Sequence, residues 1–260
     1  MALVNGPLGL LVLAALFAPL ERWRPIHPRK LLRPGWQTDV AHFFLTHTLS
    51  QLSLVVAVGL VLYVVDPLRP GLVEHQPHWL QLPEAVLLLE LVGYWCHRAF
   101  HEVPWLWRIH AVHHSSEHLD WLAALRVHPL DQTLTRATQF TVLSALGFPF
   151  QLTAGATLLL GLWAVFLHAN VRARFGPLER LVATPAFHHW HHAHGRRGNY
   201  AGLLPWVDAL FGTAIVEAGW PERHGADDPP RPTWWGHLTL ARSNSHAVGL
   251  PQDKRFDPGG

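Results

Sequence analysis

Apolar runs alternate with short polar loops along the first two thirds of this chain, at lengths that suit membrane helices. Pro7–Leu20 is apolar for about fourteen residues, or up to about twenty counted from Met1, a marginal span that predicts a tilted or interfacial first helix. Its lack of a basic leader and of a small-residue cleavage site reads as a retained anchor rather than a signal peptide. Val40–Val65 is the cleanest span, with His42, Thr46, His47, Thr48, Ser50 and Gln51 crowded into its first half. Those polar groups are expected to face the protein interior, with His42 and His47 structural or pocket-lining rather than at the chemistry. Pro83 is expected to open the next helix, whose apolar Leu82–Tyr94 leads into His97 and His101 before Pro104 breaks it. Thr133–Leu146 and Gln151–Leu167 predict a helical hairpin turned at Gly147-Phe-Pro-Phe.

Basic residues give these helices a direction. Arg22, Arg24, Arg29, Lys30 and Arg33 outnumber the acids of Glu21–Asp39, and Arg172 and Arg174 follow the hairpin. The excess places both loops on the cytoplasmic side. Asp66–Leu82, with Arg69 as its one basic residue, belongs on the other side. The expected fold class is therefore all-α: an integral-membrane bundle of about four or five hydrophobic helices under a cytoplasmic helical cap. We divide the single domain 1–260 into membrane helices to about 170, a cap over 171–213 and a C-terminal extension over 214–260, with Lys254–Gly260 frayed.

Composition sharpens this. Charged residues make up 15% of the chain against 49% hydrophobic, with mean hydropathy +0.12. Soluble domains carry about 25% charge, so the balance favours a membrane. The net charge of +2 and the absence of a basic stripe give no reason to expect nucleic acid. The single cysteine, Cys96, excludes a disulfide framework and a thiolate-rich metal site, and reads as an inert small hydrophobe.

The candidate chemistry lies in the histidines. His97 and His101 are four apart and share a helix face. His110, His113 and His114 follow at a spacing that would converge them on one side of a helix, and His188, His191 and His192 repeat it. His168, at the cytoplasmic exit of the hairpin, is a further candidate, either as ligand or as hydrogen-bond partner of one. Eight imidazoles in three clusters exceed one tetrahedral zinc and suit two metals with about four nitrogens each. By ligand type iron, copper or zinc would serve. At the cytoplasmic rim of a bundle, an oxidant made from O2 could meet a lipid C–H bond, and redox iron fits that use best. Each turnover needs electrons from outside, because the sequence has no flavin fingerprint, haem CxxCH or cluster-type cysteine set.

The ordered set His97-xxx-His101, His110-xx-His113-His114 and His188-xx-His191-His192 resembles the fatty acid hydroxylase/sterol desaturase superfamily of membrane non-haem diiron enzymes. Trp95-Cys-His-Arg-Ala-Phe-His101, Arg126-Val-His-Pro129, His168-Ala-Asn170, Asn199-Tyr200 and Trp206-Val-Asp-Ala-Leu-Phe-Gly-Thr213 fall in the order found there. The resemblance runs from about Arg33 to Thr213. It implies two irons held by these histidines, with His168 a further ligand or near neighbour, O2 as co-substrate, and a separate cytochrome b5-like, ferredoxin or reductase donor. It also implies hydroxylation or desaturation of a fatty-acyl or sterol/isoprenoid-like membrane lipid. Arg172 stands where eukaryotic relatives often carry another histidine. Two other classes compete: a membrane metal-dependent hydrolase, which predicts a bridging carboxylate from Glu102 or Glu117, and a non-catalytic protein with a structural metal site.

Overall fold

The long apolar runs become helices that leave much of their surface uncovered. The computed structural model describes residues 6–28, 30, 32–65, 71–73 and 75–240, apart from the side chains of Thr46 and His47. The expectations for His47, Arg29, Arg69, Asp66-Pro67 and Lys254–Gly260 lie outside the described residues. Among those residues the secondary structure is helical, with isolated bridges (Pro25 to Val171, Ala193 to His224) and no strand.

Helix α1 (Pro7–Trp23) buries Gly9, Leu13 and Phe17, one stripe at four-residue spacing, and exposes Leu8, Leu11 and Leu16. The stripe packs with Phe43, Trp121, Leu122 and Val165. Helices α2 (Trp36–Ala41) and α3 (His47–Val65) are joined by a π-helical turn over His42–Thr46. The composite Trp36–Val65 and α7 (Phe150–His168) are long and apolar enough to cross a membrane. No other described helix meets that measure: α1 has 17 residues, α6 (Pro129–Leu146) carries Asp131 and Arg136, and α4 (His78–Glu102) carries Glu84, Glu90 and Arg98.

Two local expectations are corrected. Helix α4 begins at His78, with Pro77 as N-cap, so Pro83 sits inside the helix rather than opening it. As the sixth residue of the helix it lies past the N–H groups that have no intrahelical partner, so α4 gives up the bond to the Trp79 carbonyl there. The second correction concerns His110, His113 and His114. Helix α5 (Pro104–His110) stops at His110, and His113–Ser115 form a separate 3-10 turn.

Other boundaries follow local chemistry. Val103 adopts an extended backbone before Pro104, which takes the first position of α5. Gly147, at φ 89°, closes α6 in the left-handed region, and the Phe148 N–H reaches back to the Leu143 carbonyl. Helix α6 packs along α3 and α4, and α7 packs on α4. Leu89, Ala85, Leu143, Phe148 and Ala156 pack together where α4 meets α6 and α7. Beyond α7 the described chain makes only short helices: a 3-10 turn at Gly176–Arg180, α8 (Pro185–His191), α9 (Trp206–Leu210) and α10 (Trp234–Leu238).

Candidate metal centre

All nine sequence-predicted histidines meet at one end of the bundle, and they sort into two adjoining groups. His97, His101, His110, His114 and His191 form the first, and His113, His168, His188 and His192 the second. Within each group the available nitrogens lie within 4.8 Å of one another. The groups touch, with the His114 and His192 rings stacked at 4.2 Å between centroids.

Each HxxHH word is divided between the groups, not pointed at one centre. Adjacent residues diverge around a helical turn and cannot face the same ion. So His113 and His114 part company, as do His191 and His192, and each word serves two sites. His97 and His101, four apart on α4, stay together as their spacing requires.

The chain after α8 is fastened to one face of α4. Glu90 accepts from the Leu203 and Leu204 amides at 2.8 and 3.0 Å. One turn on, the Tyr94 hydroxyl meets Thr213 Oγ1 at 2.8 Å, and next His97 Nδ1 meets the Tyr200 carbonyl at 2.7 Å. Positions 90, 94 and 97 are one helical stripe. Asp208 holds the returning loop by accepting from the amides of Tyr200 and Ala201, both at 2.8 Å. Asn199 takes φ 54° and bonds through its side chain to the Phe187 carbonyl and the Ile215 amide. These bonds explain why the Asn-Tyr and Asp…Phe-Gly-Thr words sit beside the histidines.

Four rings are held in one tautomer by the main chain. His97 Nδ1 donates to Tyr200 O, His113 Nδ1 to Arg126 O (3.1 Å), His168 Nδ1 to Ala164 O (2.7 Å) and His191 Nδ1 to Gly198 O (2.8 Å). A carbonyl oxygen only accepts, so in the neutral ring the proton is on Nδ1 and Nε2 bears a lone pair. His110 Nδ1 likewise donates to Asp131 Oδ2 at 2.6 Å, the carboxylate–histidine arrangement typical of metal ligands. Sequence reasoning did not single out Asp131; its place in the first turn of α6, beside the His128-Pro129 word, is the signal that would have found it.

The consequence is electrostatic. His113 Nε2 and His168 Nε2 stand 3.0 Å apart, two lone pairs aimed at each other. His97 Nε2 and His110 Nε2 are 3.1 Å apart in the other group. A cation bound between such nitrogens would relieve the repulsion, and neutral imidazole is a common metal ligand. The buried Nε2 atoms of His101, His114 and His191 have no protein partner. Buried polar atoms left in that state are rare unless a ligand completes them.

Burial, and then the neighbouring imidazoles, hold His113, His114, His188 and His192 well below the ordinary histidine range. His191 is lowered in the same way. In the unfolded chain these rings titrate near 6.5. Below that pH the unfolded chain binds more protons than the folded one, so stability is lost as pH falls and nothing changes above it. The metal-free protein in neutral detergent is expected to melt at the same temperature at pH 7.5 and 8.5, and several degrees lower at pH 5.5. Equal melting at 7.5 and 5.5 would refute this account.

The remaining histidines have other work. His42 bonds the Val127 carbonyl and His237 Nδ1 and lines the cavity described below, as its sequence position suggested. His128 caps α6 through the Leu130 amide and donates to Leu238 O. His189 donates to Ala169 O. Asp120 pairs with Arg33. Among the described residues no carboxylate belongs to either histidine group. Glu102 pairs with Arg98 at the surface and Glu117 is exposed, which removes the bridging carboxylate a hydrolase would need.

An all-helical bundle with membrane-length helices and two histidine groups able to hold metal ions is the class that fold and site define. The chain belongs to the fatty acid hydroxylase family, whose model matches residues 82–213. It is 30% identical over 234 residues to an ornithine lipid hydroxylase of Rhizobium tropici, covering 84% of this chain and 66% of that protein. It is 38% identical over 136 residues to the alkylglycerol monooxygenase of Homo sapiens, 51% of this chain and 30% of that one. A putative Delta(7)-sterol-C5(6)-desaturase of Arabidopsis thaliana is 28% identical over 137 residues, half of this chain and 47% of that protein. The chain thus spans under two thirds of each of these relatives. No solved structure matches it.

Proposed function

We propose that this protein is an O2-dependent, non-haem diiron oxygenase that hydroxylates or desaturates a C–H bond of a membrane lipid. The observation that carries the proposal is the 3.0 Å approach of two tautomer-locked lone pairs, His113 Nε2 and His168 Nε2, inside a buried all-imidazole group. His97, His101, His110, His114 and His191 would hold one iron, and His113, His168, His188 and His192 the other. Bound there, iron supplies the activation of O2 that an unreactive C–H bond demands.

The protein's own part is orientation and exclusion of water. A cavity of about 400 Å³ opens from His97, His110, His113 and His188 into the space between α3, α4, α6 and α7, where Leu89, Phe140, Leu158 and Val165 line it. An alkyl chain laid along that wall brings a carbon to the histidines while staying out of water. The exposed apolar faces of α1 and α3, with Val55, Val56 and Tyr63 outward, suit lipid contact and delivery from the bilayer. The basic segments at Arg24 and Arg172 meet beside His168, joined by the Arg172 amide and the Arg24 carbonyl. By the positive-inside rule that end faces the cytosol, in a bacterial-type inner membrane. The external donor, cytochrome b5-like, ferredoxin or reductase, would approach from that side.

Protein purified without oxygen, then analysed for metal, is expected to hold two irons per chain. Lipid extracts from cells with and without the gene should differ by a 16-dalton gain, or a 2-dalton loss, in one lipid class. One zinc or more per chain, with no iron, would overturn the proposal.

A further inference from the structure

The cavity contains a cation that nothing described so far uses. Gln132, Thr135, Arg136 and Gln139 all line it from α6, at the i, i+3, i+4, i+7 spacing of a single helix face. The α7 lining is mostly apolar, with Leu158, Leu162 and Val165 beside Thr157 and, at the histidine end, His168. The chamber therefore carries a polar stripe on α6 and a largely hydrocarbon lining on α7.

Arg136 stands in the middle of the polar stripe. Its Nη1 donates to Gln139 Oε1 at 3.0 Å, and Gln139 in turn donates from Nε2 to the Leu89 carbonyl at 2.8 Å. Gly93 makes room for that amide, since a Cβ there would lie 3.2 Å from Gln139 Nε2. Gln139 is thus pinned to α4, and it aims the guanidinium. No carboxylate among the described residues forms an ion pair with Arg136. Asp131 attracts it through space, but its Oδ2 is engaged by His110. A guanidinium has five N–H donors, and one is accounted for. Placing a cation inside an apolar-walled chamber without a partner anion costs several kcal/mol. A bundle that keeps one there gains when the ligand supplies the anion.

We propose that Arg136 is the specificity-determining anchor for an anionic group, carboxylate or phosphate, on the lipid that enters this cavity. Arginine presents its donors as a fork that fits both oxyanions, and Gln132 and Thr135 flank it as further hydrogen-bonding groups. Asp131, the partner of the liganding face, and Arg136 are five residues apart on α6, a rise of about 7.5 Å. The carbon presented to the histidines would then lie a few bonds from the anionic group, not at the far end of the chain. The inference rests on the lipid-oxygenase proposal for its substrate, but binding can be read without turnover.

The test uses the full-length, iron-loaded protein in neutral detergent. Equilibrium dialysis would compare labelled oleate, oleyl phosphate and oleyl alcohol, which share one hydrocarbon chain. Wild type is expected to prefer at least one of the two anions over the alcohol by about tenfold or more, the worth of a charge-assisted hydrogen bond. Arg136→Gln should lose that preference while still binding the alcohol and retaining its iron, which shows the fold intact. Arg136→Lys should keep part of the preference. Equal binding of all three lipids by wild type, or an unchanged preference in Arg136→Gln, would overturn the anchor. Displacement of oleate by an equal concentration of inorganic phosphate would also overturn it, by revealing a small-anion site. Should the anion preference depend on Arg136 while protein purified without oxygen carries zinc and no iron, the oxygenase proposal fails and the anchor stands.

Discussion

Replacing His113 with alanine is expected to cut bound iron from two per chain to one or none and reduce lipid oxidation to background. His113 supplies Nε2 to the second histidine group, is held by the Arg126 carbonyl, and faces His168 at 3.0 Å. No neighbouring group can take its place, because His188 and His192 already belong to the same group. Removing a supporting partner should cost less. Asp131→Asn keeps the hydrogen-bonding shape but weakens the grip on His110, and should lower metal affinity about 10- to 100-fold. His75→Ala, an exposed histidine outside both groups, should leave iron and turnover unchanged. Metal analysis beside oxygen uptake reads all three. Full iron in His113→Ala would sink the assignment.

The largest effect on stability is expected away from the imidazoles, at Asp39. This carboxylate is fully buried between two guanidiniums, with Oδ2 2.7 Å from Arg33 Nη1 and Oδ1 2.6 Å from Arg126 Nε. Asp39→Ala leaves both cations under-compensated in the interior, a loss of about 3–5 kcal/mol. At this chain length that is a drop of about 10 °C in melting temperature. Arg33 keeps its paired bonds to Asp120 at 2.7 and 2.8 Å, and Arg126 keeps Ser115 Oγ and the Gly35 carbonyl, so the fold should loosen locally before it melts. Arg126 also carries the carbonyl that fixes His113. Iron should therefore be lost more readily from Asp39→Ala, and thermal melting followed with metal release tests both. An unchanged melting point would contradict the network's role.

What the sequence displayed and what it hid have a common physical basis. The pairing of His97 with His101, the hairpin and its Gly147 turn, and the break at Pro104 are local, set by spacing and backbone preference within a few residues. The resemblance placed His168 with the rest, and the structure puts it in the second group. Hidden were contacts whose partners lie far along the chain: Asp39 with Arg126, 87 residues apart, or His42 with His237, 195 apart. The division of each HxxHH word between two groups was obscured for a different reason. The spacing of His110, His113 and His114 predicts a continuous helix, whereas α5 ends at His110 and a 3-10 turn follows. Arg136 escaped notice because an isolated arginine in a polar-looking helix carries no signature until its cavity is seen.

The imidazoles of residues 97, 113, 168 and 191 are steered by oxygens every amino acid possesses, at 200, 126, 164 and 198. A screen that trims side chains at those four sites would pass over the steering itself and register only collateral damage. To reach it, an experiment must bend the path of the chain. Gly198, at φ 141°, offers the handle, since an added methyl there would collide with the Thr213 carbonyl oxygen and the Ile215 side chain.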